Sequence, residues 1–413
     1  MVEQVAAAAA LADVVRRSRL RLLAFLAAGA QDVAGAEDAL ADAVRAALEA
    51  WPETGVPRQP EAWLLTAARR RLIDAARQRR VRRLAEPILG ADGEAVEAAE
   101  MPDEFPDERL KLLFVCAYPA LDPAVRPALM LQVVLGLDAA RIAPAYLARP
   151  ATVGQRLSRA KQKIRDAGIP FEIPRPAEWP ARLRAVLEAV YAAYGHGWEA
   201  DALSGGGRLA QEAVQLGRLL VELMPDEPEA MGLLALMLHG QARQAARRDA
   251  RGAYVPLSEQ DCARWSQPMI GEAERWLDRA SRAGRLGTFQ LEAAIQSVHA
   301  RRLRDGRTDW ASIALLYEGL VRIAPSAGAR VGHAAAIARL HGAAAGWDYL
   351  QPLAALGEAG YQPYWALAAE LLAELRRGDE AAEAYARAIA LSDDPAVREF
   401  LRARAARGGV ALS

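Results

Sequence analysis

The chain has 413 residues, more than one ordinary hydrophobic core serves, so two or three domains are expected. Hydrophobic residues make up 53% of it and aromatics only 6%; Ala, Leu and Arg dominate and long β-branched runs are scarce, which predicts an all-α protein. The formal net charge is zero, so no whole-chain charge argument points to a partner. The two cysteines, Cys116 and Cys262, lie far apart and exclude a disulfide framework or a Cys-rich metal site. The alanine run Ala6–Ala10 precedes Arg16, Arg17, Arg19 and Arg21, whereas a secretory signal puts its positive charge first. With no stretch near ~20 apolar residues, no membrane span is expected and a reducing cytoplasm is the predicted location.

The first informative element is "AGAEDALADAVRAALEAW", Ala34 to Trp51. Ala36, Leu40, Ala43, Ala47 and Trp51 recur at helical spacing, and Glu37, Asp38, Asp42 and Glu49 make the other face acidic. Such a face is either simply solvated or a dock for a basic protein. Next comes "QPEAWLLTAARRRLIDAARQRR", Gln59 to Arg80, which starts well as a helix because Pro60 suits the first turn and Glu61 the positive dipole end. Leu64, Ala68, Leu72 and Ala75 share one face; Thr66, Arg69, Arg70, Arg77 and Arg80 cover much of the rest. This is either an Arg-rich solvated face or a phosphate-contacting one, with Trp63 a core anchor or a stacking surface.

From Glu86 to Glu108 there is no Lys or Arg, while acidic residues, prolines and glycines recur, which predicts a flexible acidic linker. Beyond it, "LQVVLGLDAARIAPAYLAR" places Gly136 and Leu137 at a helix end and Asp138 as the cap of the next helix. Residues 147–150 read as a turn, and Thr152 as the cap of a second helix, "PATVGQRLSRAKQKIRDAG". That helix has an apolar stripe of Val153, Leu157, Ala160 and Ile164 and a polar, basic face of Gln155, Arg156, Arg159 and Lys163. Two short helices and a tight turn make a helix-turn-helix, with the basic helix aimed at a DNA major groove or its phosphates.

The proline-rich "GIPFEIPRPAEWP", Gly168 to Pro180, marks a boundary. After it the chain reads as helical almost to its end. "YWALAAELLAELRRGDEAAEAYARAIALSDDP", from Tyr364 to Pro395, resembles a tetratricopeptide repeat: Ala381, Ala382 and Ala388 allow close helix approach, Gly378 is expected to end the first helix, and Pro395 to follow the second. His196, His239, His299, His333 and His341 show no metal-ligand spacing, and "SGGGR", Ser204 to Arg208, reads as a flexible turn rather than a phosphate loop. No enzyme activity and no cofactor are expected.

The succession "AED…AW", "AWLLTAARRRLIDAARQRR", an acidic linker and "GLDAARIA…RLSRAKQKIR" resembles extracytoplasmic-function sigma factors over residues 1–170. "DERLKLLFVCAYPAL", "LMPDEPEAMGLLALMLHGQAR" and "FQLEAAIQSVHA" resemble the subgroup with a long tetratricopeptide-like C-terminal extension. The resemblance implies two small helical sigma domains, the second a helix-turn-helix, joined by the acidic linker and followed by a large helical domain. The divisions are 1–85 for sigma region 2, 86–106 for the linker, 107–170 for sigma region 4 and 171–413 for the extension. It also implies roles. Glu37, Asp38 and Asp42 would dock core RNA polymerase; Trp63, Arg69, Arg70, Arg77 and Arg80 would read the promoter −10 element; Thr152, Gln155, Arg156, Arg159 and Lys163 would engage the −35 element. The extension would act as a built-in control element that covers the DNA-reading helices or helps hold them in place. The chain departs from the family pattern at Ala41, where Gln is usual, at Pro144 inside the first helix of the helix-turn-helix, at Gly154, where Lys is common, and at "YGHGW", Tyr194 to Trp198. Ala41, Pro144 and Gly154 motivate the alternative expectation, a helical scaffold or DNA-binding regulator that has lost sigma activity.

Overall fold

The computed structural model describes residues 2–84, 107–146, 148–204, 208–356 and 360–410; side chains are described within these except at 2–6, 79–84, 144–145, 197–204, 208–209 and 355–356. The expected acidic linker at 86–106 and the glycines of the Ser204–Arg208 turn therefore lie outside the described residues. The fold is all-α; among the described residues, strand-like pairing is confined to an isolated bridge between Arg248 and Tyr254. The chain divides into two compact units, Met1–Leu216 and Gly217–Ser413.

The first unit begins with three helices, α1 (Val2–Ala30), α2 (Val33–Thr54) and α3 (Pro60–Leu84), each packed on the other two. The stripe read in α2 is buried in full, from Ala36 to Trp51, and meets Leu22, Leu23 and Ala27 of α1 and Leu64, Leu65 and Ala68 of α3 in the buried core. Asp32 caps α2 by accepting the Gly35 N–H at 3.0 Å, and Gly55, at φ 83°, closes its other end.

Four helices follow: α4 (Arg109–Cys116), α5 (Arg126–Val133), α6 (Ala139–Ile142) and α7 (Pro150–Asp166). Asp138 caps α6 as its sequence position predicts, accepting the Arg141 N–H at 2.8 Å. Proline cannot donate the backbone bond an α-helix needs, and here α6 stops at Ile142 while Ala143–Tyr146 continues as a 3₁₀ turn containing Pro144. Helix α7 starts earlier than expected. Pro150 is its first residue and the extended Arg149 its N-cap, so Thr152 lies within the first turn and is not the cap. Proline at the first position, with φ already helical and no N–H to satisfy, is the physical reason. Helices α8 (Trp179–Ser204) and α9 (Arg208–Leu223) complete this part of the chain; α8 packs on α4 and α5, and the division between units falls inside α9.

The second unit is built on α10 (Pro228–Ala242), which is buried on every side and flanked by α11 (Gln267–Ser281) and α12 (Thr288–Ala300). Then come α13 (Arg302–Asp305), α14 (Trp310–Ile323), α15 (Ala327–His341), α16 (Ala343–Leu350), α17 (Gln362–Glu374), α18 (Gly378–Ala390) and α19 (Pro395–Arg407). From α14 to α19 each helix packs on the next. Ala381 and Ala388 are fully buried at the α17–α18 crossing. Gly378 does not end α17 but opens α18; the left-handed residue is Arg376, at φ 61°. Its turn closes with Arg377 N–H on Leu372 O at 2.9 Å and Arg376 N–H on Ala373 O at 3.1 Å, the two bonds of a Schellman ending.

Candidate nucleic-acid interface

On α3, Leu64, Leu65 and Ala68 are buried, which turns Arg70, Arg71 and Arg77 outward, exposed and without an ion-pair partner among the described residues. Trp63 is half-buried. Its ring meets Trp51 edge-on, centroids 5.6 Å apart, and its free side lines an open groove with Pro57, Arg58, Thr66 and Arg70. Trp63 thus serves as anchor and groove wall at once. Arg69 behaves differently from its neighbours: its guanidinium sits over the Phe25 ring of α1, 4.9 Å from the centroid, and so turns back onto the core. The side chain of Arg80 lies outside the described residues.

On α7, at about 100° per residue, three faces are separate. Val153, Leu157, Ala160 and Ile164 are buried. Thr152, Gln155, Arg156, Arg159 and Lys163 are exposed together on a second face. Arg156 and Arg159 have no partner among the described residues, whereas Lys163 Nζ donates to Ala120 O. Gly154 faces α6: a Cβ there would lie 3.8 Å from that of Ala139, so the residue belongs to the packing between the two helices.

The third face was not foreseen. Lys161 and Arg165, one turn apart, face α2. Lys161 Nζ lies 2.7 Å from Glu37 Oε2, and Arg165 Nη1 lies 3.5 Å from Asp32 Oδ2, whose side chain is only 4% exposed. Glu37 also lies 3.8 Å from Arg19, which donates to Val133 O at 3.2 Å. Burial lowers the Arg19 pKa from its ordinary value, and Glu37 partly restores it. Of the three acidic residues singled out on α2, Glu37 is therefore held internally, Asp42 pairs with Arg45 at 2.8 Å, and Asp38 is exposed without a partner among the described residues. Periodicity placed all three on one helix; it carried no signal for a lysine 124 residues away.

Among the described residues no group of three or more His, Cys, Asp or Glu side chains could hold a metal. Cys116 is fully buried and burial pushes its thiol far up; His239 is likewise buried and held down to about 3 by desolvation. No helix among the described residues is long and apolar enough to cross a membrane.

Residues 14–82, the span of α1 to α3, match the sigma-70 region 2 family. The chain is 41% identical over 379 residues to the uncharacterized protein R00370 of Rhizobium meliloti (strain 1021), covering 89% of this chain and 88% of that one. The chain carries a sigma-70 region 2 domain. That domain implies a sigma-factor-like role in transcription initiation. Residues 182–281 match a family of unknown function, and no solved structure matches.

Proposed function

We propose that the protein is a sigma factor of the extracytoplasmic-function type, acting in the cytoplasm, that joins core RNA polymerase and directs it to particular promoters. Helices α1–α3 are region 2. Arg70 and Arg77, with Arg71, meet −10 phosphates while Trp63 and its groove receive an unstacked base; aromatic stacking is worth about 1–3 kcal/mol per base. Helices α6 and α7 form the helix-turn-helix of region 4, with Gln155, Arg156 and Arg159 toward the −35 element and Thr152 and Lys163 at its margins. The helices beyond α7 form a tetratricopeptide-like extension that modulates activity. The observation that carries this reading is that the region 2 match at residues 14–82 coincides with a helix presenting exposed arginines, unpaired among the described residues, beside an aromatic groove.

A second reading, a helical regulator without sigma activity, draws on Glu37 being tied to Lys161 and Arg19 rather than open to polymerase. Run-off transcription with purified core polymerase and a pool of genomic promoter fragments separates the two. Defined transcripts from the parent chain, lost in Trp63→Ala with Arg70→Ala, support the sigma factor. Silence together with no binding to core polymerase supports the regulator.

A further inference from the structure

Helix α6 has four residues before Pro144 ends it. One helical turn is not stable by itself, because nucleation costs more than a single closed bond returns. Yet Ile142 and Ala143, at its end, are buried and α6 forms one wall against α7. The support comes from later in the chain. Trp179 packs on Phe114, ring centroids 5.3 Å apart. Arg182, 8% exposed, donates Nη2–H to Phe114 O at 3.1 Å and lies over the Tyr118 ring at 4.3 Å. Phe114 O belongs to the last turn of α4, where carbonyls lack helical partners, so a cation suits the position.

Two further contacts reach the broken helix itself. The His196 ring of α8 stacks on Tyr146 of the 3₁₀ turn, centroids 4.4 Å apart and planes within 15°. Glu212 Oε1 of α9 lies 3.0 Å from Arg141 Nη2 of α6. Arg182, His196 and Glu212 all fall in the segment that matches the family of unknown function.

We propose that α8, together with Glu212 of α9, is a brace for the DNA-reading helix-turn-helix, and that His196 and Glu212 are positioning residues that set α7 by gripping Tyr146 and Arg141. The inference rests on α7 being the helix that reads DNA. The brace stands in for the helix length that Pro144 removes. It also assigns a task to one end of the family of unknown function: holding the reader in place, while its residues from Gly217 on belong to the second unit.

The test uses the full chain in four forms: parent, His196→Ala with Glu212→Arg, His196→Phe, and Arg141→Glu with Glu212→Arg. Amide exchange of residues 139–146, affinity for duplexes selected by the parent from a random pool, and affinity for core polymerase are measured on each. In the first double variant, exchange at 139–146 is expected to rise about tenfold and duplex affinity to fall roughly three- to tenfold, with polymerase binding unchanged. His196→Phe keeps the stacking and the reversed ion pair keeps the charge contact, so both are expected to stay near the parent. Unchanged exchange in the first double variant overturns the brace. Raised exchange alongside a parent that selects no duplex leaves the brace standing and overturns the DNA-reading assignment instead.

Discussion

Lys161 Nζ sits 2.7 Å from Glu37 Oε2, joining the helix expected to read DNA to the helix expected to meet polymerase. The two side chains are 15% and 18% exposed, and Glu37 has Arg19 as a second, looser partner at 3.8 Å. Removing one member of such a pair leaves the other partly desolvated, whereas replacing both costs less. Lys161→Glu, which sets two carboxylates together, is expected to destabilise the protein by about 1–3 kcal/mol. Glu37→Lys in the same chain is expected to return most of that. Chemical denaturation of the two variants checks it; equal stability of the single variant and the parent refutes the contact.

Glu292 responds to pH in the opposite direction from an ordinary paired carboxylate. Burial first, and the neighbouring Glu229 second, push its carboxyl up to about 7. Glu229 is committed to capping α12, accepting the Phe289 and Gln290 N–H groups at 3.1 Å each. A folded pKa above the unfolded one means stability present in full at low pH and lost as pH rises through 7. Glu292→Gln is expected to be the more stable protein at pH 8, by on the order of 3 kcal/mol, with much of that gain gone at pH 5. Melting temperatures at the two values decide it.

His239 works against acid. It is 2% exposed, neither ring nitrogen has a hydrogen-bond partner among the described residues, and desolvation holds it down to about 3 with a smaller contribution from Arg243. Glu274 Oε1 lies 3.4 Å away, too weakly placed to reverse that shift. The folded state keeps the neutral ring, so stability is full above the unfolded pKa of about 6.5 and falls as pH drops toward the folded value. His299, held down to about 4 by burial with help from Arg243 and Arg302, adds to the same window. His239→Leu is expected to flatten the loss of stability between pH 6 and pH 4, read from denaturation midpoints.

Gly232 lets α10 and α12 touch. A Cβ at this position would lie 2.7 Å from Gln290 N and 3.0 Å from Gln290 Cα, and backbone atoms cannot swing aside. Gly232→Ala is expected to cost about 1–3 kcal/mol despite alanine's better helix propensity. A variant as stable as the parent would sink this assignment.

Arg156 and Arg159 distinguish base reading from phosphate contact. If either reads a base, its alanine variant loses about 1–3 kcal/mol at one preferred position. If it contacts phosphate, all sequences weaken alike and the salt dependence flattens. Binding titrations over a range of salt on selected and scrambled duplexes separate the two outcomes, and no change in either variant refutes the face.

Much of this protein is set by local pattern. The stripe from Ala36 to Trp51 and that from Val153 to Ile164 are buried as their spacing predicts, because helical periodicity depends only on near neighbours. Asp138 caps α6 for the same reason. Local chemistry also misled where two signals competed: Pro150 began α7 ahead of Thr152, and Arg376 took the left-handed turn that Gly378 was expected to take.

Tertiary packing alone decided which charged groups remain free. Arg69 and Arg70 are neighbours in one basic run, yet Arg69 turns onto Phe25 and Arg70 faces solvent. Glu37 and Asp38 are neighbours in one acidic run, yet Glu37 is claimed by Lys161 and Asp38 is open. A long side chain takes the nearest counter-charge or ring, and what is nearest is fixed by helices far apart in the chain. Composition and spacing name the helices and their faces; only the meeting of those faces assigns each side chain its partner.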